Sequence, residues 1–267
     1  MKGMRVAAMS VVLLLTLLSV TGSFMSTFDY VAQDRAHIAA APSAQHWLGT
    51  DSLGRDRTSR LLYGTRVSLL LAPAAAAVSI LLAFAIGATP GFLGGLPEQV
   101  ARTMIDLVLS IPWLFLLLIL RALLPLNTSP GTSVTITFLA LGLLGWGMPA
   151  RILLAQARRL RQSAFLLLAR STGVSRWRLL CVHVMPNLGP VLLAQFCISV
   201  PVFVLAEANL SLLGLGVAEP LPSLGSLLRE LESVVSIRGD VFCFAPLLLL
   251  VLIVGSLQIT VARKEVS

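Results

Sequence analysis

The residues able to do chemistry in this sequence are few and scattered. Three cysteines, Cys181, Cys197 and Cys243, and three histidines, His37, His46 and His183, lie far apart, and none shows the short spacing with which a chain presents zinc ligands. The cysteines sit in or beside apolar runs, where a thiol behaves as a small packing group. A serine nucleophile needs a histidine beside it, and an aspartyl mechanism needs two aspartates at one depth. The histidines fall in loops between apolar runs, and Asp106 has no aspartate mate in the middle of a neighbouring run. The only lysines, Lys2 and Lys264, belong to no G-x-x-x-x-G-K-[ST] loop, so any use of ATP must come from a partner chain. Two ionisable residues lie near the ends of apolar runs, Arg121 and Glu207. A charge at such a place is costly and marks either a solute pathway or a locally satisfied group. Arg121 reads as reaching to the membrane interface, while Glu207 stands open between a pathway role and hydrogen bonds near Asn209 and Ser211. No catalytic residue and no metal site are expected.

The elements that would position these residues are written in the composition. Of 267 residues, 57% are hydrophobic and 12% charged, against about 25% charged in a soluble domain. Crossing the ~30 Å hydrocarbon core takes about 20 apolar residues as a helix. Six stretches qualify: Val6 to Met25, Ser68 to Thr89, Met104 to Leu124, Ser133 to Ala150, Leu188 to Leu213 and Val241 to Val261. The expected fold is therefore all-α, a polytopic membrane protein of about six transmembrane helices. The first run lacks a small-x-small cleavage pattern leading into a soluble domain and reads as a retained helix. A net charge of +8 would suggest nucleic acid in a soluble chain, but membrane topology accounts for it and no nucleic-acid partner is expected.

The connection from Arg151 to Asn187 carries Arg151, Arg158, Arg159, Arg161, Arg170, Arg176 and Arg178 and no carboxylate. Such a loop stays on the cytoplasmic side, and its charges meet anionic lipid there. With six spans, both termini are then cytoplasmic. The segment Ser26 to Val67 falls outside, where Asp51 or Ser52 is placed to cap a helix and Asp56 stands four residues before Arg60. Within the basic loop stands "FLLLARSTGVSRWRLLCVHVMPN", Phe165 to Asn187. Phe165 to Leu168 form an apolar patch in a solvated loop, which marks a docking surface or a segment that dips into the membrane interface. Gly173 suits a helix end that needs positive φ, and Ser175 can cap a second short helix that ends before Pro186. Pro186 and Asn187 read as the start of the fifth span. Pro112, Pro201, Gly214 and Gly216 suit kinks and close packing.

At these residues the chain resembles the inner-membrane permease subunits of bacterial ABC importers, whose loop carries a pattern of the type EAA, three residues, G, and later LP. Ala169 matches the last alanine, Gly173 the glycine and Pro186 the proline, while Leu167 and Leu168 stand where the family has its acid and first alanine. "HVMPN" is similar to the HxLPN ending of the dipeptide, oligopeptide and nickel branch. "HWLGTDSLGRDRTSRLLYGTRVSL", "MIDLVLSIPWLFLLL" and "LAEANLSLLGLGVAEPLPSLGSLL" resemble three further blocks of that branch, in order, with Leu224 where tryptophan is usual. The end, "GSLQITVARKEVS", departs from it.

The resemblance implies a permease subunit forming half of a path for di- or oligopeptides, with relatives that move nickel, glutathione and other solutes. It implies a second, related but different permease, two ATPase subunits that bind ATP and Mg, an external solute-binding protein, and a place in the bacterial inner membrane. Phe165, Leu166, Leu167, Leu168, Ala169, Arg170, Gly173 and Pro186 would form the ATPase-coupling element, its helix running from Phe165 to Thr172. The implied domains are 1–67, a first helix and an external segment; 68–262, a permease core with its coupling loop at 151–187; and 263–267, a tail. An ion-coupled secondary transporter is the rival reading. It requires a proton or sodium site at mid-depth, where acids are few, and leaves the apolar helix and its glycine unexplained.

Overall fold

The computed structural model describes residues 2–25, 28–123, 129–171, 173–232 and 241–261. Among them the chain is helical, with two isolated bridges, Gln33 to Arg55 and Thr50 to Asp56, as the strand-like pairing. Helix α1 (Lys2–Met25) is followed by an irregular segment and α2 (Arg57–Ala83), which passes through a π turn (Phe84–Ala88) into α3 (Thr89–Leu93). Then come α4 (Gly95–Ser110), α5 (Trp113–Ala122), α6 (Pro130–Leu144), α7 (Gly147–Arg161) and α8 (Ala164–Ser171). One turn, α9 (Arg176–Arg178), a π turn (Leu179–Val184) and α10 (Met185–Leu212) precede α11 (Leu224–Arg229) and α12 (Ala245–Val261).

Four helical runs are long and apolar enough to cross a membrane: Arg57–Leu93, Pro130–Arg161, Arg176–Leu212 and Phe242–Thr260. The span expected from Met104 to Leu124, with Pro112 suited to a kink, is a broken one, α4 and α5 meeting at 74°. The cause is local: Pro112 disfavours helical backbone in the residue before it, and Ile111 is extended at φ −98°, ψ 126°. Counting this pair as one span gives a fifth, and α1 adds a shorter apolar stretch, Val6–Gly22. Leu124 and the tail at 263–267 lie outside the described residues.

A second difference concerns the basic loop. Ser175 caps a helix as expected, its hydroxyl accepting from the Arg178 N–H at 3.4 Å. That helix does not end before Pro186, however, and the fifth span starts not at Pro186 but at Arg176. Proline lacks the N–H that an α-helix would use and its ring crowds the preceding turn. The π turn widens the helix just ahead of it, with Met185 N–H bonding Leu180 O, so the chain runs through.

The chain packs as two compact units. The first comprises Met1–Ala72, Arg121–Phe138 and Val200–Ser267; the second comprises Pro73–Leu120 and Leu139–Ser199. In the first, α1 packs along α12, and α11 lies against the last turns of α10, where a Cβ on Gly225 would meet the Ala208 Cα at 2.6 Å. In the second, the segment through the π turn and α3 lies backbone to backbone on α7. A Cβ on Gly87 would stand 2.3 Å from the Ala150 carbonyl oxygen, and one on Gly91 2.6 Å from that of Leu154. These two glycines, four residues apart, are the small-residue spacing that lets membrane helices touch closely. Around the contact lies a core of Phe92, Ile105, Leu153, Leu154, Leu179, Val184 and Leu188.

Gly87→Ala tests this contact. Helix propensity alone would favour alanine by about 1 kcal/mol, but the added carbon meets a backbone oxygen that cannot swing aside, an overpacking cost of about 1–3 kcal/mol. The thermal midpoint in mild detergent is expected to fall, whereas Gly189→Ala, with nothing within 4 Å, does not lower it. A Gly87→Ala chain as stable as the parent would contradict the close approach.

Candidate functional site

The apolar patch of the basic loop forms α8, whose eight residues make a rod of about 12 Å. A helix this short does not hold in water on its own propensity, so packing must fix it. Leu166 supplies that packing: it is fully buried among Leu179, Leu180 and Val184 of the second unit, with Ala169 one turn on and partly buried beside it. Burying such a leucine contributes about 1.5–3 kcal/mol. The other face stays open, with Phe165 43%, Leu167 53% and Leu168 68% exposed. Arg170 stacks its guanidinium over the Phe92 ring at 5.2 Å, a cation–π contact that ties the end of α8 to α3. Gly173 has φ +79°, as its place after the helix requires, and its N–H bonds Arg170 O at 3.1 Å. Thr172 lies outside the described residues. Pro186 is exposed, within the continuous helix.

The arginines ahead of α8 are not all free for lipid. Glu98 of α4 is buried and takes Arg161 at 2.9 Å, Arg102 at 3.1 Å and Arg158 at 3.5 Å. Arg161 also donates to Gly91 O at 3.1 Å. Arg151 pairs with Asp106. Arg102 stands four residues after Glu98, a spacing visible in the sequence, but the pairs that join α4 to α7 lie 45 to 63 residues apart and no local pattern signals them.

In the first unit, the segment before α2 is organised by carboxylates in roles other than those expected. Asp56, not Asp51 or Ser52, caps α2: its Oδ2 accepts the Ser59 N–H at 2.7 Å. Its Oδ1 lies 2.9 Å from His46 Nδ1, and the expected Asp56–Arg60 pair does not form. Asp51 accepts from the N–H groups of Leu53 and Arg55 and binds Arg55 Nε at 2.6 Å. Arg60, fully buried, reaches Glu230 at 3.0 Å, Glu219 at 3.2 Å and Asp51 at 3.7 Å. Arg55 also binds Glu219, at 2.6 Å. Burial works against the charge on Arg55, yet the Asp51 hydrogen bond and the Glu219 charge outweigh it and its pKa stands above the ordinary value. Burial pushes the Glu230 carboxyl up, with Arg60 opposing.

Arg121 is held by the chain just beyond the end of α10. Its guanidinium donates to Leu215 O at 2.8 Å, to Gly216 O at 2.7 Å and to the Ser133 hydroxyl. It thus closes the chain reversal after α10 against the start of α6. Glu207 is fully buried, and one carboxylate oxygen accepts from Ser211 and Ser223, each at 2.7 Å. Ser211 was legible four residues on; Ser223 comes from the capping turn of α11, and Asn209 is exposed.

Comparison with known proteins places this architecture. A family model described as "Binding-protein-dependent transport system inner membrane component" matches residues 79–264. The chain is 30% identical over 227 residues to the dipeptide transport system permease protein of Bacillus subtilis, covering 85% of this chain and 69% of that one. It is 30% identical over 253 residues to the oligopeptide transport system permease protein of Mycobacterium tuberculosis, covering 94% and 86%.

The buried arginine of the first unit gives a test of its own. Arg60→Met would leave Arg55 as the cation beside Asp51, at 2.6 Å, and near Glu230, at 3.9 Å; removing one partner from a buried ionic cluster costs at most about 3–5 kcal/mol, the half-exposed Glu219 contributing little. A carboxyl whose folded pKa is raised costs stability as pH rises through that pKa. Without Arg60 the Glu230 carboxyl rises further, so the variant's deficit in thermal midpoint should be largest near pH 7 and shrink toward about pH 5. A deficit independent of pH would contradict the electrostatic role.

Proposed function

This chain belongs to the family of binding-protein-dependent transport system inner membrane components, and from that membership we propose that it is one of two permease subunits of an ABC importer for di- or oligopeptides. It crosses the membrane several times and is not itself an enzyme. Two ATPase subunits, which bind ATP and Mg, supply the energy. A related but different permease completes the path, and an external binding protein delivers the cargo. The bacterial inner membrane is its place, with both termini and the 151–187 loop on the cytoplasmic side. The peptide class rests on the relatives, which are dipeptide and oligopeptide transport permeases; the coupling role rests on α8.

The observation that carries the reading is the division of α8 between a buried and an open face. Leu166 roots the helix in the second unit, while Phe165, Leu167 and Leu168 present about one turn of apolar surface to a partner. A patch of this kind in a solvated loop marks an interaction site, and a cleft on each ATPase subunit is the occupant. A push on the open face reaches the core through Leu166, through Arg170 on Phe92, and through Gly173, which turns the chain into the helix leading to α10. Arg121 and Glu207 fix helix ends of the first unit in this account and are not stations for cargo.

Purifying the tagged chain from its native membrane in mild detergent should bring down two ATPase chains and a second permease in stoichiometric amounts, identified by mass spectrometry. Gly173 refines the test. A Cβ there meets nothing within 4 Å, so substitution acts through backbone strain alone. Gly173→Val should strain a positive φ by about 1–3 kcal/mol and lower substrate-stimulated ATP turnover of the assembled complex. Gly173→Asn, which tolerates that conformation, should retain most of it. Equal turnover in both variants would remove the turn from the mechanism, and a chain that purifies alone would remove the importer reading.

A further inference from the structure

A cavity of about 540 Å³ lies between α4 and α7 in the second unit, and Arg102, Arg151, Arg158 and Arg159 line it. Its walls also include Asp106, which is engaged by Arg151, and the apolar Leu154. A second cavity, of about 440 Å³, shares Arg102 and Arg158. Counting Arg161, five arginines on these two helices face two carboxylates, Glu98 and Asp106, leaving three positive charges in excess. Arg159 is exposed and makes no ion pair among the described residues. The negative end of the α7 dipole offsets about half a charge, too little for the excess. Such a site attracts an anion.

Depth selects the kind of anion. The run Pro130–Arg161 has 32 residues, about 48 Å of helix against a hydrocarbon core of ~30 Å. The apolar residues fill that core, and the arginines, collected at the end of the run, come at the level of the headgroups. Guanidinium groups bind phosphate oxygens in pairs, and basic pockets between membrane helices hold anionic headgroups. We propose that the cavity between α4 and α7 binds the phosphate of an anionic phospholipid headgroup through Arg102, Arg151, Arg158 and Arg159. Arg151 and Arg158 remain tied to carboxylates at the rim, Arg159 supplies the uncommitted charge, and Leu154 lies where the glycerol and first methylenes would rest. A headgroup held there would brace α7 against α4 two residues ahead of α8.

The test uses the full-length chain with its accompanying subunits in a neutral detergent, titrated with short-chain phosphatidylglycerol, short-chain phosphatidylcholine or inorganic phosphate while the thermal midpoint is followed. Phosphatidylglycerol is expected to raise the midpoint saturably at concentrations at least tenfold below those needed for either other probe. Arg159→Gln, which leaves every ion pair in place, should weaken that response about fivefold. Arg176→Gln removes the same charge from the same loop outside the cavity and should leave it unchanged. Equal weakening by both variants would reduce the effect to diffuse surface charge and overturn the site. Inorganic phosphate acting as well as phosphatidylglycerol would overturn the lipid assignment, and the absence of any saturable response would overturn the proposal altogether.

Discussion

Two glycines resting on two carbonyl oxygens set the geometry of the second unit. Because Gly87 and Gly91 carry no side chain, the π turn and α3 lie directly on α7 at Ala150 and Leu154. That contact fixes where α7 lies, and therefore where its arginines and α8 are placed. Close packing of small residues is the main attraction available between helices in lipid, since the surrounding tails are as apolar as leucine. Arg161 reinforces the same seam from the side, joining Glu98 of α4 to the Gly91 carbonyl. The basic loop is thus built onto a rigid base.

From that base α8 takes its two-faced character. A free helix of eight residues would be largely unfolded in water, and a fully buried one would have nothing to offer a partner. One leucine in the core and three apolar residues outside resolve the conflict. The π turn between α9 and α10 serves the same end, for it carries the chain past Pro186 without a break. The helix that follows α8 is then continuous from Arg176 to Leu212. In the first unit the equivalent rigidity comes from polar groups: Arg60 among its carboxylates, Arg121 on two backbone carbonyls and Glu207 under the α11 capping turn.

Local grammar made part of this legible from sequence. The positive φ of Gly173 and the Ser175 cap depend on neighbours within a few residues, and both appear in the structure. The apolar runs were visible by length and composition alone, since a bilayer imposes one requirement on every span. The break at Ile111 was half visible, because Pro112 announces a kink but not its 74° angle. Partners distant in sequence were hidden. Nothing near Glu98 says that Arg158 and Arg161 will meet it, and nothing near Arg60 points to Glu219 or Glu230. The Asp56 carboxylate illustrates competition: it has the spacing for Arg60, yet the Ser59 N–H and His46 claim it. The two glycines carry no local signal, because their partners lie in α7, about sixty residues away.

The central claim is that the open face of α8 is held by an ATPase subunit, and site-directed cross-linking addresses it most directly. A single cysteine at Leu168, in a chain whose Cys181, Cys197 and Cys243 are replaced by serine or alanine, would be treated with a short bifunctional reagent in the assembled complex. The account predicts a product joining this chain to an ATPase subunit, with a yield that changes when ATP binds. A matched cysteine at Trp47, also exposed and on the opposite side of the membrane in the proposed topology, should give none. Absence of the Leu168 product from an intact, active complex would contradict the account.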